Sequence, residues 1–405
     1  MAPGAAHRTQ RGRGDLLTEM VALANRFGAD PAFVRAGGGN ASAKADGTLA
    51  IKPSGVSLAT LTVEALIELS LEPLLDVLES AVATEYAAGS DEVLQVAEAA
   101  RRSAADGRRP SVELLFHALL PEPIVLHTHP TTINTVTCST GGDELAAQIL
   151  GERALWIPYA DPGLPLARRI RDERDAFERR TGRSAPRAIL LQNHGLIVSG
   201  ETASQIEDLS HEIAARITEH AAGRPSGSWG DVERLETRLA GDMLAELRPA
   251  LGRLLATDGR PRAVTFDGSP LAVGAAGSAL GHRFAGAGPL TPDQIVYAGS
   301  WPLIVEPLTA DGPAAVAAVA AALAERTAAG LDPPIVVLVA GLGLLAVGDS
   351  DQQAETAREI YLDAVRIACG AHRLGGVRPL APSERQFIER WEAEAYRRSV
   401  AAQSR

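Results

Sequence analysis

Residues 124–130 read Ile-Val-Leu-His-Thr-His-Pro, and residues 189–201 read Ile-Leu-Leu-Gln-Asn-His-Gly-Leu-Ile-Val-Ser-Gly-Glu. Both contain short apolar runs interrupted or ended by Pro or Gly, which predicts buried strands over Ile124–His129 and Ala188–Ser199. Side chains two apart on a strand share a face, so His127 and His129 can reach one ion together. His194, in Asn193-His194-Gly195, joins them if the two strands are neighbours. Three neutral imidazoles with an open fourth position form a catalytic rather than a structural zinc site. A single histidine in an apolar run is more often a core residue. The coincidence of three is what carries the metal reading.

Just upstream, Ser111 is a predicted N-cap for a helix over Glu113–Leu119. Glu113 in the first helical turn can be a favourable dipole contact, or a general acid/base beside a metal. His117, one turn on, reads as a packing residue or one that supports a ligand from behind, and not as a ligand itself. Two further segments are rich in backbone and hydroxyl donors: Arg35–Lys44 (RAGGGNASAK) and Ile51–Val56 (IKPSGV). Glycines let N–H groups approach an anion closely, and lysine adds charge, which suits a phosphate. Lys44 and Lys52 are the only lysines among 39 basic residues, and both fall in these segments. The chain has neither GxxxxGK[ST] nor GxGxxG, so it carries neither a P-loop nor a dinucleotide-binding turn.

Around these motifs the sequence predicts helices over Leu16–Phe27, Val63–Leu71, Asp91–Arg102, Ser204–Ala221, Val232–Leu255 and Ala314–Glu325. Two short strands joined by Asp46-Gly47 are expected within Val34–Ile51. Further strands are expected near Ala263–Val273 and Pro302–Glu306, and Ala222–Gly230 reads as a linker. Ile189–Glu201 also aligns with Val337–Asp349 (VLVAGLGLLAVGD), each copy being followed by a helical segment. Gly195 falls opposite Gly343, Gly200 opposite Gly348, and His194 opposite Leu342. A duplicated frame that keeps its imidazole only in the first copy is expected. There is no room for a full second copy, so the duplication is partial.

The net charge of −11 and the lack of any long basic run exclude an ordinary nucleic-acid binder. Two distant cysteines, Cys138 and Cys369, exclude a disulfide framework and fit a reducing cytoplasm. The longest apolar run, Ile335–Val347, falls short of the roughly 18 residues a membrane span needs, so no membrane partner is expected.

Taken in order, Gly39-Asn40-Ala41-Ser42, Lys52-Pro53-Ser54-Gly55, Ser111 with Glu113, His127-Thr128-His129 and Asn193-His194-Gly195 resemble the class II aldolase/adducin family of zinc-dependent sugar-phosphate aldolases. Gly288–Asp293, Trp301-Pro302-Leu303 and Gly341-Leu342-Gly343 are similar to the end of the aldolase half of bacterial aldolase/short-chain dehydrogenase proteins, without the dehydrogenase. The resemblance implies an α/β fold, with an α/β/α sandwich on a mainly antiparallel sheet over residues 15–225 as the catalytic domain. A non-catalytic C-terminal α/β domain, a partial and degenerate repeat, is expected over residues 231–400. It further implies Zn²⁺, or another divalent metal, on His127, His129 and His194, with Glu113 as acid/base. Gly39, Asn40, Ser42, Lys44, Lys52, Ser54, Gly55 and Ser111 are the expected contacts of a phosphorylated sugar. Val112 stands where the family has a second serine beside the glutamate. The implied activity is cleavage of a ketose 1-phosphate to dihydroxyacetone phosphate and an aldehyde, by a homo-oligomer, a tetramer in many members. A dehydratase, a 4-epimerase or a decarboxylase using the same site, or a non-enzymatic adducin-like module, are the alternatives.

Overall fold

The computed structural model describes residues 12–79, 90–102, 107–223, 235, 237–306 and 312–391. It begins with α1 (Arg13–Ala29), whose Leu16, Met20, Leu23 and Phe27 recur at helical spacing and are buried. The hairpin β1 (Asn40–Ala45) and β2 (Thr48–Ile51) follows. Ala45 pairs with Thr48, and the turn residues Asp46 and Gly47 have φ of 49° and 68°. A two-residue turn with both φ values positive is what Asp-Gly accommodates best. Next come β3 (Ile67–Ser70), α2 (Leu71–Glu79), α3 (Ser90–Ala99), α4 (Leu114–Leu119) and β4 (Ile124–Thr128). The first half continues through α5 (Thr131–Thr137), α6 (Gly142–Leu150), β5 (Ala154–Ile157) and α7 (Leu164–Thr181). It ends with β6 (Ala188–Leu191), β7 (Gly195–Gly200) and α8 (Ala203–Ala222).

These strands form one seven-stranded sheet, ordered β3-β2-β1-β4-β7-β6-β5 and antiparallel except for β5 beside β6. Alternate residues of the central strands feed two cores. Ile124, Leu126, Leu196 and Val198 pack towards α1, α5, α6 and α8, whereas Val125, Ile189 and Ile197 pack towards α2, α3, α4 and α7. Because both faces are covered, the strands read as nearly continuous apolar runs. The result is an α/β/α sandwich on a mainly antiparallel sheet.

The second half comprises α9 (Thr237–Leu254), β8 (Ala263–Asp267), α10 (Pro270–Gly277), α11 (Ala279–Ala287), a π-helical turn (Gln294–Ala298) and β9 (Leu303–Val305). Then follow α12 (Gly312–Ala328), β10 (Val336–Val339), β11 (Gly343–Gly348), α13 (Asp351–Leu374) and α14 (Pro382–Arg390). Its four-stranded sheet, β8-β11-β10-β9, repeats the order β4-β7-β6-β5. Directions repeat too: β9 runs parallel to β10 as β5 does to β6, and the other pairs are antiparallel. The likeness reaches the helix caps. Thr202 and Ser350 accept from the N–H of Gln205 and Gln353, whose Oε1 atoms accept from the N–H of Glu201 and Asp349. The repeat therefore extends well beyond the segment visible in sequence.

Among the described residues the second copy has no equivalent of β1, β2 and β3, so β8 is the edge strand of its sheet. Here α9 flanks it: Arg248 Nη2 donates to the Val264 carbonyl at 2.8 Å, and Arg262 N–H donates to Gly252 O at 2.9 Å. The halves meet along α13. Asp363 on α13 pairs with Arg35 at 2.9 Å and accepts from Thr131 Oγ1 at 2.6 Å. Arg378 N–H donates to Cys138 O at 2.8 Å, and Thr140 N–H to Gly376 O at 3.1 Å. No helix among the described residues is long and apolar enough to cross a membrane.

Three sequence expectations need correction. Val63–Leu71 is not a helix: after a short 3-10 turn, Ile67 and Leu69 are buried and Glu68 and Ser70 are not, the alternation of a strand pairing with β2. Ala188–Ser199 is not one strand but the β6–β7 hairpin. Ala263–Val273 is strand only to Asp267, since the Ser269 hydroxyl caps a helix with Pro270 in its first turn. Most of the linker read at Ala222–Gly230, and Val232 of the following helix, lie outside the described residues.

Candidate active site

The β6–β7 hairpin places His194. His194 N–H donates to Leu191 O at 3.1 Å, closing a turn in which Asn193 has φ 56°. Asparagine tolerates that left-handed conformation. The matching turn of the second copy has Leu342 N–H on Val339 O and Gly341 at φ 79°. In register, β7 lies beside β4: Ile197 faces His127, and Leu196 faces Thr128. That brings His194 to the end of β4, where His127 and His129 stand.

The three imidazoles converge. His127 Nε2 is 3.0 Å from His129 Nε2 and 3.3 Å from His194 Nε2, and one ligand atom from each residue lies within 4.8 Å of the others. His127 Nδ1 is 2.9 Å from the Leu196 carbonyl, which can only accept, so Nδ1 carries the proton in the neutral ring and Nε2 is bare. His129 Nδ1 meets Asp293 Oδ2 at 2.5 Å, which assigns its proton in the same way. With both rings neutral, two nitrogen lone pairs face each other at 3.0 Å, an arrangement that a cation between them relieves. Burial, helped by His129 and His194, outweighs the opposing pull of the Glu113 carboxylate and pushes His127 down to about 3, so it is neutral and available as a ligand at pH 7. The residues present thus fit a divalent metal on a His₃ set.

Glu113 is the N-cap residue of α4 rather than its first helical residue, and its N–H donates to Ser111 Oγ at 3.2 Å. Its Oε1 is 3.2 Å from His194 Nε2 and 3.6 Å from His127 Nε2, and its Oε2 accepts from Asn40 Nδ2 at 2.5 Å. Burial opposes ionisation of this carboxyl, but His127, His194 and His129 outweigh it and hold the group well below the usual carboxylate range. Gly39, beside Asn40, has φ 77°, and a Cβ there would lie 2.6 Å from His127 O. Any side chain would part β1 from β4.

Most of the other expected residues share one cavity with Glu113 and His194: Gly39, Asn40, Lys52, Ser54, Gly55 and Ser111 line it, with Gly37, Val112, Pro162 and Pro292. Lys52 is buried, and its Nζ donates to Val56 O at 2.6 Å and Pro53 O at 3.3 Å, so it also braces the Ser54-Gly55 turn. Ser42 and Lys44 are not brought to this cavity. Ser42 Oγ is 2.8 Å from His117 Nδ1, and Lys44 Nζ donates to His117 O at 2.6 Å. They follow Asn40 at strand spacing along β1 and run beneath α4, against His117. His117 is a buried packing residue between them and Phe116.

Sequence reasoning missed Asp293 and Arg378. Asp293 lies 164 residues from His129, beyond any local pattern. Arg378 O accepts from Asn193 Nδ2 at 2.8 Å, as does Leu290 O, and the Arg378 guanidinium donates to Asn193 Oδ1. The acidic residue after Thr291-Pro292 is conspicuous in the sequence, but nothing local links it to a histidine.

Residues 18–216 match the class II aldolase and adducin N-terminal domain, and residues 239–397 match the second domain of class II aldolases. An uncharacterized oxidoreductase of Bacillus subtilis, YuxG, is 25% identical over 429 residues, covering 95% of this chain. The chain spans 58% of the length of that relative. Among solved structures, the N-terminal class II aldolase domain of a conserved protein from Thermoplasma acidophilum is 25% identical, covering 54% of this chain and 99% of that one, with a TM-score of 0.44. An L-fuculose 1-phosphate aldolase from Glaciozyma antarctica is 17% identical over 55% of this chain and 80% of its own, with a TM-score of 0.34.

Proposed function

The chain belongs to the class II aldolase and adducin family, and from that premise we propose that it is a metal-dependent carbon–carbon lyase cleaving a ketose 1-phosphate to dihydroxyacetone phosphate and an aldehyde. The observation that carries this reading is Glu113 Oε1 at 3.2 Å from His194 Nε2 and 3.6 Å from His127 Nε2, beside a cavity lined by Lys52, Ser54 and Ser111. A divalent metal on His127, His129 and His194, Zn²⁺ in our reading, would supply Lewis acidity at the substrate's ketone and adjacent hydroxyl.

The chain's own residues do the rest. Lys52, Ser54, the Gly55 backbone and Ser111 receive the phosphate, fixing the ketose with its reacting carbons towards Glu113. As the C3–C4 bond breaks, the C4 hydroxyl becomes the aldehyde carbonyl and gives up its proton, the bond's electron pair stays on C3 of the ketone fragment, and the Glu113 carboxylate takes up that proton and returns it to C3. Asn40 holds the other carboxylate oxygen, so Glu113 keeps one oxygen aimed at the reacting carbon. Val112, Pro162 and Pro292 give the cavity an apolar wall that limits water.

The test is metal analysis of the purified protein, followed by incubation with a panel of ketose 1-phosphates and product identification by mass spectrometry. About one metal per chain and release of dihydroxyacetone phosphate are expected. Loss of water, inversion at C4 or release of carbon dioxide would identify a dehydratase, an epimerase or a decarboxylase instead. A protein with neither metal nor turnover would point to a binding module.

A further inference from the structure

His129 stands just past the end of β4, and it draws its orienting contact from the other half of the chain. Asp293 Oδ2 lies 2.5 Å from His129 Nδ1, with Asp293 buried at 6% exposure. The segment that presents it is itself fixed. Leu290 N–H donates to Gln294 Oε1 at 2.9 Å, and the Thr291 hydroxyl accepts from Gln294 N–H at 3.3 Å. Space for the pair is made by Gly38, where a Cβ would lie 2.9 Å from Asp293 Oδ2 and 3.1 Å from His129 Nδ1. The turn bearing His194 is gripped from the same side, through Asn193 on Leu290 O and Arg378 O, both at 2.8 Å.

We infer that Asp293 is a positioning residue of the metal centre: accepting the Nδ1 proton of His129, it aims Nε2 at the site shared with His127 and His194, and so makes the C-terminal half a working part of that centre. This rests on the metal reading above. A carboxylate behind a metal-bound imidazole fixes its tautomer and ring orientation and raises its basicity. His127 has only a carbonyl in that place, Leu196 O at 2.9 Å, so Asp293 is the charged support of the set among these contacts. The second copy explains why the device sits where it does. The positions matching His127, His129 and His194 are Phe266, Gly268 and Leu342, none of which can hold a metal. That half supplies the first with an orienting carboxylate.

The experiment measures the affinity of the full-length chain for Zn²⁺ by chelator competition, and the visible spectrum of its Co²⁺ form. Asp293→Asn, Asp293→Ala and Asp363→Asn are compared with the parent. Asp363→Asn weakens the Arg35 contact between the halves without touching a histidine, and circular dichroism checks the fold of each variant. The two Asp293 variants should bind Zn²⁺ about 10- to 100-fold more weakly with a shifted Co²⁺ spectrum, and Asp363→Asn should bind as the parent does. If Asp293→Asn folds and binds within twofold of the parent with an unchanged spectrum, the inference is overturned. Equal weakening in Asp363→Asn would overturn it as well, since the cause would then be the interface in general. A parent chain that binds no metal would defeat the metal reading itself, an outcome distinct from both.

Discussion

Asn40 Nδ2 lies 2.5 Å from Glu113 Oε2, joining the first residue of β1 to the N-cap of α4 and leaving Oε1 to face His194. The amide donates to Oε2 and so fixes which carboxylate oxygen faces the histidines. Glu113→Gln should therefore keep fold and metal while lowering kcat by roughly 10²–10⁴-fold, the usual range for removing a general acid/base. Metal analysis and steady-state kinetics on one preparation check both halves of the statement. Near-parent turnover in the variant would end the acid/base assignment.

Lys52 is the buried cation of the cavity, and its Nζ is also tied to Val56 O. Lys52→Met should raise KM for a phosphorylated substrate more than for the same sugar without phosphate. Equal increases for both would mean that the lysine only braces the turn.

Lys44 offers a pH test far from the metal. Burial pulls its ammonium down from 10.5 to about 7, partly offset by Glu122. Between these values the unfolded chain holds a proton that the folded chain has released. Its contribution to stability should therefore rise with pH from about 7 to 10.5. Across that interval the denaturant midpoint of the parent should gain on that of Lys44→Met as pH rises, the difference isolating Lys44 from the buried cysteines and tyrosines, whose raised values act in the opposite sense. A difference that does not change with pH would rule Lys44 out as its source.

Gly195 and Gly343 occupy the same position in the two copies. A Cβ at Gly195 would lie 2.4 Å from Thr128 O and 2.9 Å from His129 Cδ2, and one at Gly343 would lie 2.3 Å from Asp267 O. Each alanine variant should be destabilised by about 1–3 kcal/mol through overpacking between paired strands. Only Gly195→Ala should also weaken metal binding, because only there does the added methyl press on a ligand. Thermal melts and chelator competition separate the two effects.

The sheet around the histidines was legible because β4, β6 and β7 carry unbroken apolar runs between clear stops. Their very continuity hid the β6–β7 turn, since strands covered on both faces show no alternation to mark where one ends. Ser42 and Lys44 shared a Gly/Ser/Lys composition with the true cavity lining. At about 3.3 Å per strand residue, however, Lys44 ends roughly 13 Å beyond Asn40. The His₃ set was visible from spacing and turn chemistry. Its partner Asp293 was not, because a contact over 164 residues leaves no periodic trace.

A half-copied sheet carries a hazard that a full copy does not. Where the first half continues from β4 into three more strands, the second sheet, among the described residues, ends at β8, whose outer backbone is the kind of edge that templates pairing with another molecule. The guanidinium of Arg248 on the Val264 carbonyl, and Gly252 O on the Arg262 N–H, occupy hydrogen-bonding groups that a foreign strand would need. The losses that accompanied partial duplication are thus answered locally. With α9 lying along that rim, the edge of the incomplete unit offers a foreign strand fewer free groups to pair with.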